Sequence, residues 1–342
     1  MTHVVNIGSP GRARDLAGVL CVIAGMTFFV GQDALMKDLL GPYTVWLLMA
    51  VRGVAAILVL VPLILLLGGR HRLLTPLWPL HLLRGSLFAF GFSLFYSAFP
   101  FMGLAEVSTI FFAAPLITAV AATLFLGESI GPHRLAALVV GFAGVLVAMA
   151  PSGEAFNWVA VLPLLCAAMY SSGQILARYI GDRETTLTTG LYTTAFSSAL
   201  VLPLGWCLNQ VLPVSGEFAH IAWSFPSGFG NDWPAVALLG LVGMAGYLLM
   251  SRAYQIAPAS LVAPFDYTYL PMAALVAWLL WSEVPGPNTM IGMALIIVSG
   301  LYLGYRELRQ TRKPAAMPPT AEAVYAPGHP VVVPDERMMD DR

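Results

Sequence analysis

Charge is scarce in this sequence. Asp, Glu, Lys and Arg make up only 10% of its 342 residues, where a soluble domain uses roughly 25% to clothe its surface. That deficit excludes a soluble enzyme and a disordered chain. Lysine is nearly absent: Lys37 and Lys313 are the only two. Neither follows a Gly-x-x-x-x-Gly run, so there is no phosphate-binding loop with which the protein could drive itself on ATP. The three cysteines, Cys21, Cys166 and Cys207, lie scattered in apolar runs and make no secreted disulfide scaffold. Six histidines are dispersed without ligand spacing, so neither a metal site nor any other cofactor is expected. No Ser/His/Asp grouping for nucleophilic catalysis can be assembled. A net charge of −1 offers nothing to a nucleic acid.

What remains is apolar. Hydrophobic residues make up 58% of the chain, and the stretches 85–105, 107–127, 135–153, 155–177 and 284–305 hold no charged residue. Such runs match the roughly 20 residues that cross a bilayer core. The sequence therefore reads as an all-α, polytopic membrane protein surrounded by lipid. Ten spans are expected near 16–40, 44–67, 80–101, 107–126, 134–150, 157–179, 186–208, 234–255, 260–282 and 287–305. The basic residues before the first span resemble the start of a signal peptide. No small-residue cleavage pattern follows, so this reads as a retained helix.

Basic residues set the orientation. Of the 17 Lys and Arg, 15 fall in the N-terminus, the tail and alternate connections, with Arg52 inside a span and Lys37 opposite. Residues 1–15 and a disordered tail over 306–342 are thus expected in the cytoplasm, and the long connection 209–233 outside.

A shift of 155 residues lays Glu128-x-x-Gly131-Pro132 over Glu283-x-x-Gly286-Pro287. Five helices per repeat is an odd number, so the second half (157–305) enters the membrane inverted relative to the first (16–150). The stretches STIFFAAPLITAVAATLFLGESIGPHRLAALVVGFAGVLVAM (108–149) and APASLVAPFDYTYLPMAALVAWLLWSEVPGPNTMIGMALIIVSGLYLGYRE (257–307) resemble the EamA repeat of the drug/metabolite transporter superfamily. QDALMK (32–37) and APFDYTY (263–269) look most like the subgroup containing riboflavin and S-adenosylmethionine uptake permeases. The resemblance implies a secondary carrier of a small organic metabolite in a bacterial inner membrane, working by alternating access.

Ionisable groups inside spans are costly and so mark function. Asp33 and Lys37 share a helix face, and Arg52 sits at the depth of Asp33 on the next span, so an Asp33–Arg52 pair is reasonable. Asp266 follows Pro258 and Pro264. It could bind a cation, couple protons or pair with Arg252, and Tyr267 and Tyr269 stand beside it. Tyr170 and Gln174 share a polar face in the sixth span. Among the rings of the third, Tyr96 is the candidate because its hydroxyl needs a partner. Tyr192 completes the set of candidate lining groups. Gly240, Gly243 and Gly246, like Gly141 and Gly144, read as close-packing positions. Glu128 and Glu283 read as turn or interface residues.

Rings beside paired charges suit a flat heterocycle with polar groups. By the resemblance, uptake of riboflavin is the leading expectation, ahead of S-adenosylmethionine uptake or exchange. An exporter of amino acids or amphipathic metabolites is the alternative within the class, and a membrane enzyme or partner subunit the alternative outside it. A homodimer is compatible with the sequence.

Overall fold

The computed structural model describes residues 10–68, 73–126, 131–149, 158–211, 214 and 216–310. These residues are helical and include no strand. The first half contains α1 (Pro10–Leu39), α2 (Val45–Leu67), α3 (Trp78–Ser97), α4 (Leu104–Phe111), α5 (Ala114–Leu126) and α6 (Pro132–Met149). The second contains α7 (Val161–Ile180), α8 (Thr186–Val211), α9 (Trp233–Ile256), α10 (Ala259–Val262), α11 (Tyr269–Trp281) and α12 (Pro287–Gln310).

Two boundaries differ from those expected. Pro10 begins α1 inside the segment assigned to the N-terminus, because proline at the first helical position costs no amide bond. At the other end α12 continues to Gln310, since Arg306, Glu307, Leu308 and Arg309 are good helix formers although polar. The tail from 311 and Glu128 lie outside the described residues.

Among the described residues, seven helical segments are long and apolar enough to cross a membrane: those of α1, α2, α7, α8, α9 and α12, and α4 with α5. That is fewer than the ten expected. The sequence carries His81 and Arg84 early in α3, the apolar part of α6 is only Leu135–Met149, and α10 and α11 are separated.

Both interruptions have a backbone cause. Pro115, in the first turn of α5, has no amide hydrogen for the carbonyl four residues back, so the chain turns between α4 and α5. Pro264 and Pro271 do the same around a 3-10 segment, Ala263–Thr268, between α10 and α11. Ala259, Tyr269 and Pro287 begin α10, α11 and α12, each 155 residues after Leu104, Ala114 and Pro132, which begin α4, α5 and α6. The repeat is thus carried in the helix breaks as well as in the Glu-x-x-Gly-Pro turns.

The packing repeats too. α1 lies along α9 and α3 along α7, while α2 packs on α8 and α6 on α12. The last two pairs are antiparallel: Gly53 faces Ser198 and Gly205 faces Trp46, while Gly141 faces Ser299 and Gly292 faces Ala148. Glycine is required where backbones approach this closely. A Cβ on Gly292 would lie 2.6 Å from Ala148 Cβ and 2.9 Å from its amide nitrogen. Gly240, Gly243 and Gly246 of α9 lie against α2 and α1 in the same way. The segment 216–232 is pinned to the α1–α2 corner by two bonds. Tyr43 donates its hydroxyl to Phe229 O at 2.9 Å, and Trp46 its indole N–H to Ile221 O at 2.8 Å.

Candidate functional site

The centre of the bundle is built around a buried acid on α1. Asp33 has no exposure, and Tyr96 and Tyr269 are equally buried. Tyr96 donates to Asp33 Oδ1 at 3.0 Å and Tyr269 to Oδ2 at 2.6 Å. Gln32 Nε2 lies 3.4 Å from Oδ1 and 3.3 Å from the Tyr96 hydroxyl. Arg52 Nη1 donates to that hydroxyl at 2.6 Å. The Tyr96 oxygen therefore accepts from a cation and donates to an anion. Asp33 and Arg52, expected as a direct pair, meet through it because both helices leave room for the ring of α3 between them. Charge-assisted bonds of this kind offset the desolvation of a buried carboxylate.

The network draws on both halves: α1, α2 and α3 from the first, and Tyr269 at the start of α11, just after the second break. Ser108 Oγ of α4, just before the first break, is 3.3 Å from the Tyr269 hydroxyl. Pro271 and the 3-10 winding turn Tyr269 toward Asp33. Tyr267 points elsewhere, against Gly300 and 5.7 Å from the Phe112 ring.

Asp266 lies in the 3-10 segment with no exposure and accepts from Tyr254 at 3.0 Å. Its expected partner Arg252 is exposed on α9. Among the described residues the two form no ion pair. Tyr170 joins the ring cluster, edge-on to Phe92 with centroids 6.2 Å apart. Gln174 is buried one turn further along α7. Tyr192 lies away from the carboxylate: its hydroxyl donates to Leu73 O at 2.8 Å, and its ring stacks on His81 at 5.1 Å.

Lys37, one turn beyond Asp33, pairs with Glu283 at 2.5 Å and lies 4.8 Å from the Trp281 ring centroid. Glu283 is more than a turn residue here. Ser282 takes φ 56°, and the Glu283 amide bonds back to Ala277 O at 3.2 Å, a left-handed cap that aims the carboxylate across the halves.

Two cavities flank the network. A cavity of about 510 Å³ is lined by Lys37, Phe99, Phe101, Glu106 and Glu283 among others. A slot of about 50 Å³ is lined by Gln32, Arg52, Phe88, Phe92, Thr194 and Tyr247 among others. Along α1 the order is Phe29 and Gln32 at the slot, Asp33, then Lys37 and Leu40 at the larger cavity. Along α3 it is Phe88 and Phe92, then Tyr96, with Phe99 and Pro100 in the turn just after the helix. The hydrogen-bonded cluster stands between the two spaces.

Gln32 and Tyr254 were not among the expected site residues. The signal for Gln32 was its place beside Asp33 opposite the Gly243 backbone. For Tyr254 it was its alignment with Phe99 in the repeat.

An apolar helical bundle with two broken helices, whose halves meet at a buried polar centre between cavities, is the build of a membrane transporter. The chain belongs to the EamA-like transporter family, which matches residues 16–150 and again 157–305. A riboflavin transporter of Vibrio cholerae is 27% identical over 88% of this chain and 97% of its own. An S-adenosylmethionine uptake transporter of Rickettsia felis is 29% identical over 70% of this chain and 76% of its own. A solved crystal structure, at 21% identity and a TM-score of 0.57, covers 88% of this chain and 99% of that one and shares the fold. The protein is accordingly a membrane transporter and not an enzyme.

Proposed function

We propose that this transporter is a secondary carrier that takes up a small heterocyclic metabolite, riboflavin first, across a bacterial inner membrane. It does so by alternating access between two inverted halves of five membrane crossings each, ten in all, with both termini in the cytoplasm. In this reading α3, α6 and the α10–α11 pair are the three further crossings, shortened or broken because they line the path rather than face lipid. Asp33, Lys37, Arg52, Tyr96, Tyr170, Gln174, Asp266 and Tyr267 form or support that path. Tyr192 braces the end that carries Leu73.

One observation carries the proposal: the Asp33–Tyr96–Tyr269 cluster is built by both halves and divides two cavities that lie along the same helices. A solute crossing between them must part those bonds. A substrate that replaces them opens one side as it closes the other, which is the differential binding alternating access needs. The larger cavity falls within the size range of small-molecule sites.

The test is growth. Expression of the chain should let a riboflavin-auxotrophic bacterium grow at riboflavin concentrations that do not support the parent. Asp33→Asn should fail to do so at equal membrane abundance. No rescue by the wild-type protein would remove riboflavin uptake from the account. S-adenosylmethionine uptake, tested the same way, is the second reading, favoured by relatives of similar identity.

A further inference from the structure

Arg52 is the candidate residue whose bonding capacity is least used. Its guanidinium carries five N–H donors in a planar fork, and the bond to the Tyr96 hydroxyl is the one hydrogen bond it makes among the described residues. It is half-buried and lines the slot with Gln32 and Thr194. Three rings surround it, with the centroids of Phe88, Phe92 and Tyr96 each 5.6 Å from its central carbon. The acid nearby is not available in the same way. Both Asp33 oxygens already accept from phenols, and Gln32 adds a third donor. The slot therefore offers a cation with spare donors and aromatic walls, and no open carboxylate.

We infer that Arg52 selects the substrate: it receives a planar heterocycle, neutral or anionic, through an edge where a carbonyl oxygen and a ring nitrogen stand side by side as acceptors, and rejects a permanent cation. The inference rests on the carrier reading above and narrows its substrate class. A flat ring stacks beside Phe88 and Phe92, and the guanidinium fork meets two adjacent acceptors as it meets a carboxylate. A sulfonium or ammonium group would face a like charge in a low-dielectric cleft and find the Asp33 carboxylate already occupied. At about 50 Å³ the slot now holds little more than one water. Binding a ring therefore requires the slot to widen.

The experiment uses the full-length protein purified in detergent and fluorescence titrations with lumichrome, riboflavin and phenazine, with S-adenosylmethionine measured by calorimetry. Lumichrome and phenazine are both flat tricyclic rings, but only lumichrome sets a carbonyl oxygen beside a ring nitrogen as adjacent acceptors. The wild type should bind lumichrome and riboflavin at least about tenfold more tightly than phenazine, and S-adenosylmethionine more weakly still. Arg52→Lys keeps the charge but loses the fork, and should cost about tenfold or more for lumichrome with little change for phenazine. Arg52→Gln should lose both the charge and the discrimination. The lumichrome–phenazine comparison needs only the wild type, so a poorly folding variant does not rescue the inference. Equal affinity for the two rings, an unchanged Arg52→Lys protein, or tighter binding of S-adenosylmethionine than of riboflavin would overturn it. Selective lumichrome binding without growth rescue would sink the carrier reading and leave the assignment of Arg52 standing.

Discussion

The Tyr269 hydroxyl donates to Asp33 Oδ2 at 2.6 Å across 236 residues of sequence. That bond ties the first helix of one half to the broken helix of the other. A bond to a buried charged group contributes about 1.5–3 kcal/mol. Tyr269→Phe should therefore lower the thermal stability of the purified protein by about 2 kcal/mol and reduce uptake. The measurement is a melting curve beside an uptake assay. An unchanged melting temperature would mean that Tyr269 is not holding Asp33.

Lys37 and Glu283 make a second bridge between the halves, at the mouth of the larger cavity. Glu283 is 35% exposed, so solvent discounts the pair to about 1 kcal/mol or less. Lys37→Glu and Glu283→Lys should each impair uptake, and the double swap should recover much of it. Additive losses in the double variant would deny the pairing.

Part of this was legible in the sequence and part was not. Asp33, Arg52 and Tyr96 stand out because polar groups in apolar runs are expensive, and the repeat shows in the paired Glu-x-x-Gly-Pro motifs. The fold breaks were harder to place. Pro258 and Pro264 marked the second as loosened, but the first rests on Pro115 alone. Tyr267 and Tyr269 stand together beside Asp266 in the sequence, but an α-helix turns about 100° per residue, whereas the 3-10 segment before Tyr269 turns about 120°. Over Ala263–Thr268 that difference moves the inward face from one tyrosine to the other. For Tyr192, nothing local announced the Leu73 carbonyl that takes its hydroxyl. Contacts between the halves, such as Lys37 with Glu283, depend on how α1 and α11 are set side by side, which neither segment encodes alone.

Close approach of α6 and α12 makes a sharp stability prediction. Gly292→Ala places a methyl against the Ala148 amide, which cannot move aside as a side chain would. Overpacking of this kind costs about 1–3 kcal/mol. The variant should melt lower in detergent. A variant as stable as the wild type would place these helices further apart.

Topology can be checked at Ser227, which is exposed in the segment held against the α1–α2 corner. With the three native cysteines replaced, Ser227→Cys should react with a membrane-impermeant maleimide added to intact cells. Labelling only after lysis would invert the proposed orientation.

The most direct measurement is counterflow in proteoliposomes, with unlabelled riboflavin inside and labelled riboflavin outside. The account predicts transient accumulation of label by the wild type and none by Asp33→Asn at equal reconstitution. Equal counterflow by the two proteins would contradict the claim that substrate must part the bonds around Asp33.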